Sequence, residues 1–154
     1  MEFVKTSKLS KLQKQEICDL WNNEYPEKLN YKALFEFEQY LRSLENPSHV
    51  IMLDENQKIK GWYFDFYRDD EKWFALILNS KCQRKGWGRK ILNLAKEKET
   101  ELNAWVIDHN KYKKRNGELY KSPLNFYVKN GFEIMLETRL QNEKIAAVKI
   151  KWKI

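Results

Sequence analysis

A chain of 154 residues, 42% hydrophobic and 14% aromatic, is long enough for one domain, residues 1–154, with bulky core material. Charged residues at 33% fit a water-facing surface, and no apolar run approaches the roughly 20 residues of a membrane helix. A formal net charge of +7 admits nucleic acid, an acidic cofactor or a lysine-rich solvated surface as its counterpart, and the two cysteines, Cys18 and Cys82, are too few for a disulfide framework or a zinc site. These features predict a reducing, cytoplasmic setting, no metal and no membrane partner.

In chain order, Glu2 to Thr6 reads as a short strand rather than a signal peptide. Ser7 or Ser10 can cap a helix bearing Leu9, Leu12, Ile17, Leu20 and Trp21, which ends before Pro26. Leu34, Phe37, Leu41 and Leu44 give a second helix one buried face, and Asn46-Pro47 stops it. His49 to Leu53 and Ile59 to Tyr67 are strands around the turn Asp54-Glu55-Asn56-Gln57. Trp73 to Leu78 is apolar at every position, as a central strand covered on both faces requires. A helix from Trp87 to Leu102 and a strand from Ala104 to Ile107 come next. Asp108 to Lys121 is a long polar connection with Asn116-Gly117 as its turn. Ser122 as cap and Pro123 at the first position start a short helix that Asn130-Gly131 ends. Phe132 to Leu140 and Lys144 to Ile154 form a terminal hairpin, its last strand alternating apolar residues with lysine. The fold class is therefore α/β (α+β): about seven strands in a mixed, mainly antiparallel sheet, with about four helices packed on it.

The most informative stretch is Gln83-Arg84-Lys85-Gly86-Trp87-Gly88-Arg89, between the apolar strand and the helix. Gly86 and Gly88 let the backbone approach an anion closely, and the free N–H groups of the helix start favour negative charge there. Arg84, Lys85 and Arg89 add fixed positive charge. The spacing is neither a P-loop nor a Rossmann fingerprint, because Ile91 stands where a third glycine would be needed.

Two motifs in order, Gln83-x-x-Gly86-x-Gly88 and Phe126-Tyr127-x-x-x-Gly131-Phe132, make this chain similar to the GNAT family of acyl-CoA N-acyltransferases. The resemblance implies a GNAT-like sheet whose fourth and fifth strands run parallel and then splay. It implies that acetyl-CoA enters that gap, with Ile77 and Leu78 pairing to its pantetheine arm and the backbone from Gln83 to Gly88 holding its pyrophosphate. It further implies transfer of an acetyl group to a primary amine, by direct attack in a ternary complex, with Tyr127 as proton donor to the departing thiolate. Asn110 stands close to a pantetheine-contacting asparagine of the family, but a long basic loop follows it here, readable as a lid or as a solvated connection. The chemistry needs something to take a proton from the amine, since a lysine-like amine is about one part in a thousand free base at neutral pH. Asp108, His109, Glu71 and Asp65 are the candidates, and water alone is a further one.

The early helices and central strands would line the acceptor pocket. Trp21, Tyr25, Phe35, Trp62, Phe64 and Trp73 are read either as stacking surface or as core, and Glu24, Glu27 and Asp65 as attraction for a cation. Two other readings stand beside the enzyme: a non-catalytic CoA-binding module on the same scaffold, and a nucleic-acid binder using Lys111 to Arg115, which lacks any helix-turn-helix or RNA-binding signature. Monomer and homodimer are both open.

Overall fold

The computed structural model describes residues 1–154. The strands are β1 (Glu2–Thr6), β2 (Glu45–Leu53), β3 (Ile59–Arg68), β4 (Glu71–Leu78), β5 (Glu101–Val106), β6 (Glu133–Gln141) and β7 (Ala146–Lys153). The helices are α1 (Lys11–Glu24), α2 (Leu34–Arg42), α3 (Trp87–Lys98) and α4 (Leu124–Lys129). None is long and apolar enough to cross a membrane. One sheet holds all seven strands in the order β1-β2-β3-β4-β5-β7-β6, antiparallel throughout except between β4 and β5.

The period-2 alternation of strand side chains divides the apolar residues into two cores, one on each face of the sheet. Trp62, Phe64, Phe66, Trp73 and Ile77 pack under α1 and α2 with Ile17, Trp21 and Phe37. Tyr63, Phe74, Ala104, Val106 and Ile150 pack under α3 and α4 with Ile91, Leu92 and Tyr127. β4 contributes to both cores, which is why its run lacks the alternation seen in β7. Local chemistry sets the helix starts. The Ser10 hydroxyl accepts from Gln13 N–H at 3.1 Å while the Gln13 side chain accepts from Ser10 N–H at 2.8 Å, a capping box. Glu36 reaches back to the N–H groups of Lys32 and Ala33, both at 3.0 Å.

Of the boundaries that differ from the sequence reading, three have a clear physical cause. α3 ends at Lys98, where Glu99 turns extended, and Leu102 belongs to β5. Leu102 lies seven residues after Ala95, on the helical period, so spacing alone placed it on the helix, whereas pairing with Trp152 buries it in the sheet. Asn46-Pro47 opens β2 instead of closing a helix: Asn46 has φ 49°, and a register shift between Glu45 and Ser48 takes Pro47 out of the ladder. α4 begins one residue late, with Pro123 at the cap position and the Ser122 hydroxyl accepting from Leu124 N–H at 3.2 Å.

β4 and β5 share a single register pair, Trp73 with Asn103, at the start of β4. The Asn103 amide donates to Lys72 C=O at 3.1 Å and marks that junction. Beyond it the strands part. Asn79 N–H donates to Lys60 C=O at 2.9 Å, which fixes the phase of the β3–β4 ladder. Bonded positions recur every second residue in an antiparallel pair, so Trp73, Ala75 and Ile77 spend their main-chain groups on β3. Leu76 and Leu78 turn theirs toward β5, which is no longer there.

Candidate active site

The gap between β4 and β5 runs through the sheet as two joined cavities. The first, of about 520 Å³, is lined by Leu76, Ile77 and Leu78 of β4, by Gln83, Arg84, Gly86, Gly88 and Arg89 of the loop and α3, and by Phe126, Tyr127, Lys129 and Asn130 of α4. The second, of about 310 Å³, is apolar and bounded by α1, the ends of β3 to β5 and the β6–β7 hairpin. Tyr25, Leu76, Tyr120, Pro123 and Tyr127 line both, so the cavities meet at these five residues.

The loop is shaped to present backbone donors. Arg84 and Gly86 adopt left-handed φ of 62° and 87°, and the Gln83 amide donates to Leu78 C=O at 3.0 Å, tying the loop to the strand end. The N–H groups at the start of α3 have no partner within the helix and point out of its first turn. No side chain interrupts at Gly88, where a Cβ would stand 2.9 Å from the Phe126 ring. Amide donors on the loop, the seam-facing main-chain groups of Leu76 and the N–H of Leu78, and the guanidinium groups of Arg84 and Arg89 give an elongated ligand with amides at one end and phosphates at the other a matching partner at each point.

Tyr127 is buried where the cavities join, edge-on to Phe74 at 5.8 Å and to Phe132 at 5.4 Å. Burial, and then the neighbouring Tyr25, pushes its hydroxyl far above the ordinary tyrosine range. Burial raises Tyr25 and Tyr120 in the same way. The junction is therefore a cluster of neutral phenols.

Of the expected cofactor residues, Ile77, Leu78, Gln83, Arg84, Gly86, Gly88, Arg89 and Tyr127 line the first cavity. By the ladder phase Ile77 turns its main-chain groups to β3 and its side chain to the core under α1, while the main-chain groups of Leu76 face the gap. Lys85 and Trp87 lie off the cavity, Trp87 packing beside Phe3 at 6.0 Å. Asn110 is drawn away as well: its side-chain Oδ1 accepts from Ser122 N–H at 2.7 Å, closing the base of the 109–121 loop.

The structure brings none of the expected proton acceptors to the junction. Glu71 stands at the far end of β4, held by Lys149 at 2.9 Å and Lys151 at 3.2 Å, and these bonds keep its carboxyl below the usual range. Asp108 is clamped by both nitrogens of the Arg139 fork, at 2.9 and 3.1 Å. His109 packs edge-on against Tyr112 and accepts from Lys111 N–H at 3.1 Å. Asp65 is buried on the α3/α4 face, where Tyr63 donates to it at 2.7 Å and Lys72 lies at 3.7 Å. Of the aromatic set, Trp21, Tyr25 and Trp73 line the apolar cavity, Trp62 and Phe64 stack on each other at 4.1 Å inside the core, and Phe35 is 59% exposed. Glu24 lines the first cavity but is committed to Ser80 N–H at 3.0 Å and Lys114 at 3.4 Å, and Glu27 lies outside both.

The 109–121 loop is an ordered hairpin. Lys113 bridges Leu119, Lys114 N–H donates to Glu118 C=O, and Lys113 C=O accepts from Glu27 N–H at 2.9 Å. Arg115 grips Asn23 through two nitrogens at 3.0 and 2.6 Å. The loop is thereby strapped to the end of α1 and carries Tyr120 to the junction. Tyr120 was reachable from sequence only as one tyrosine in a polar connection, because its position depends on this strap.

Solved structures with the same architecture cover nearly the whole chain. An aminoglycoside 6'-N-acetyltransferase complexed with coenzyme A superposes with TM-score 0.71 at 15% identity, over 99% of this chain and 97% of the other. This chain has the GNAT fold. A GNAT superfamily phosphinothricin acetyltransferase from Sinorhizobium meliloti in complex with AcCoA matches with TM-score 0.68 at 10% identity, over 100% of this chain and 89% of the other. A spermidine N-acetyltransferase SpeG chimera from Vibrio cholerae and hSSAT matches with TM-score 0.67 at 16% identity, over 99% of this chain and 96% of the other. No protein-family model and no curated protein matches the sequence. The GNAT likeness that two short motifs implied thus extends from β1 to β7.

Proposed function

We propose that this protein is an acetyl-CoA-dependent N-acetyltransferase acting on a primary amine of a small molecule. The observation that carries the reading is the through-going gap in the sheet, with a phosphate-suited loop at one mouth, an apolar cavity at the other and Tyr127 where they meet. The crystal structures with coenzyme A and with AcCoA on the same fold support it.

In this reading Leu76 and Leu78 pair with the amides of the pantetheine arm as a further strand would. The backbone from Gln83 to Gly88, with Arg84 and Arg89, holds the pyrophosphate. The bound cofactor supplies the thioester. The amine nitrogen attacks its carbonyl carbon from the apolar cavity, so a C–N bond forms, the C–S bond breaks, one amine proton leaves to solvent, and the sulfur departs as thiolate. The Tyr127 phenol, held protonated by its burial, donates a hydrogen bond to the departing thiolate, which takes its proton from solvent.

Calorimetry with acetyl-CoA and thiol release with a broad amine panel test the proposal together. We expect binding and turnover in the parent protein. Tyr127→Phe is expected to lower kcat by about 10²-fold or more while leaving the cofactor Kd within a factor of about two, as loss of a positioned hydrogen-bond donor to developing charge does. Cofactor binding with no thiol released by any amine would leave a CoA-binding module in place of the enzyme.

A further inference from the structure

The acceptor cavity differs in character from what a polycationic substrate requires. Nine of its twenty lining residues are aromatic, and Arg68 is the one charged residue among them. No aspartate, glutamate or histidine lines it. An ammonium group entering such a cavity sheds water and meets no carboxylate. Ring faces can attract cations, but Arg68 already lies over Trp73, 4.4 Å from the ring centre, and toward Phe66 at 5.4 Å. A second positive charge there would face the first, on a chain already at +7.

Arg68 itself is unspent. It ends β3, is exposed at the cavity edge, and forms no ion pair although Asp69 and Asp70 follow it. A guanidinium over a ring face still has N–H groups to donate, and with no protein partner for those of Arg68 they can meet a carboxylate in a two-point fork.

Building on the transferase reading above, we infer that the acceptor is a ring-bearing primary amine with no second positive charge, carrying at its far end an anionic group that Arg68 holds. The ring fills the aromatic cavity, the amine points to the junction at Tyr127, and the anion stays at the wet rim, where its desolvation is small. Arg68 is then a specificity residue and takes no part in the acyl transfer.

The probes are 4-(2-aminoethyl)benzoate, phenethylamine and spermidine, each followed by thiol release with acetyl-CoA. Tryptophan fluorescence with CoA bound gives a second readout, since Trp21, Trp73 and Trp105 line the cavity. The expected order of kcat/KM is benzoate, phenethylamine, spermidine, with steps of about ten-fold, the size one charge-assisted pair gives. In Arg68→Met the benzoate-to-phenethylamine ratio is expected to fall to near one, and Arg68→Lys, which keeps the charge without the fork, to restore part of it. Preference for spermidine, or a benzoate advantage intact in Arg68→Met, overturns the inference while leaving the transferase standing. Absence of acetyl-CoA binding by calorimetry removes both.

Discussion

Tyr127 shows how a single side chain can be held ready by its surroundings. The same burial that raises its hydroxyl keeps it a donor across the working pH range. No group lining the acceptor cavity titrates as a base near neutrality, so the rising limb of kcat/KM between about pH 6 and 9 should report the pKa of the acceptor amine itself. Two acceptors of different basicity will separate the limbs; a shared apparent pKa would point to an enzyme group. Gly86 gives a second test, because its φ of 87° asks for glycine while nothing lies within 4 Å of an added Cβ. Gly86→Ala should therefore cost about 1 kcal/mol in chemical unfolding, from backbone strain alone, and weaken acetyl-CoA binding through the displaced loop. Gly86 was legible in the sequence because left-handed backbone favours glycine, whereas Arg84, left-handed in the same loop, was not. Leu76 was not, because its role comes from the phase of the β3–β4 ladder and no property of leucine reveals that.

Among the elements, the β2–β3 pair carries a pH response. His49 is 3% exposed, stacks on Trp62, and accepts from the Trp62 indole at 3.0 Å through Nδ1, a role open only to the neutral ring. Burial lowers its pKa from 6.5 to about 4. The unfolded chain binds this proton first as pH falls, so the stabilisation is complete above about pH 6.5 and disappears between there and about pH 4, a loss on the order of 3 kcal/mol. Urea unfolding at pH 7, 5.5 and 4 measures it, and His49→Phe should flatten the dependence. The loop strap is a second element-scale device. Lys114→Met leaves Glu24 without its buried partner and should cost roughly 2 kcal/mol, shifting Tyr120 and hence acceptor KM. Sequence periodicity located the elements that bury a face, such as α2, β3, β4 and β7, and cap residues located α4. It misplaced the α3–β5 border because an apolar residue at Leu102 satisfies both periods, and it could not order the 109–121 loop, whose structure rests on distant partners in α1.

At the scale of the whole molecule, the positive charge and the cleft act together. Arg84, Arg89, Lys121 and Lys129 line the first cavity, the proposed cofactor site, of a chain that is net +7. Raising salt from about 0.05 to 0.5 M should weaken acetyl-CoA binding about five-fold, as screening removes the field beyond the nearest contacts. Calorimetry at the two salt concentrations checks it. The lone junction of Trp73 with Asn103 has a mechanical corollary. In its ladder the sheet is two halves joined by one register pair, β1 to β4 on one side and β5, β7 and β6 on the other, while the shared core under α3 and the Glu71 pairs with Lys149 and Lys151 hold the closed end. With so few ladder bonds across the open seam, the β4 and β5 amides that face it should exchange hydrogen ahead of those in β2 and β3. A ligand wedged along the open seam would then act as the missing fastener.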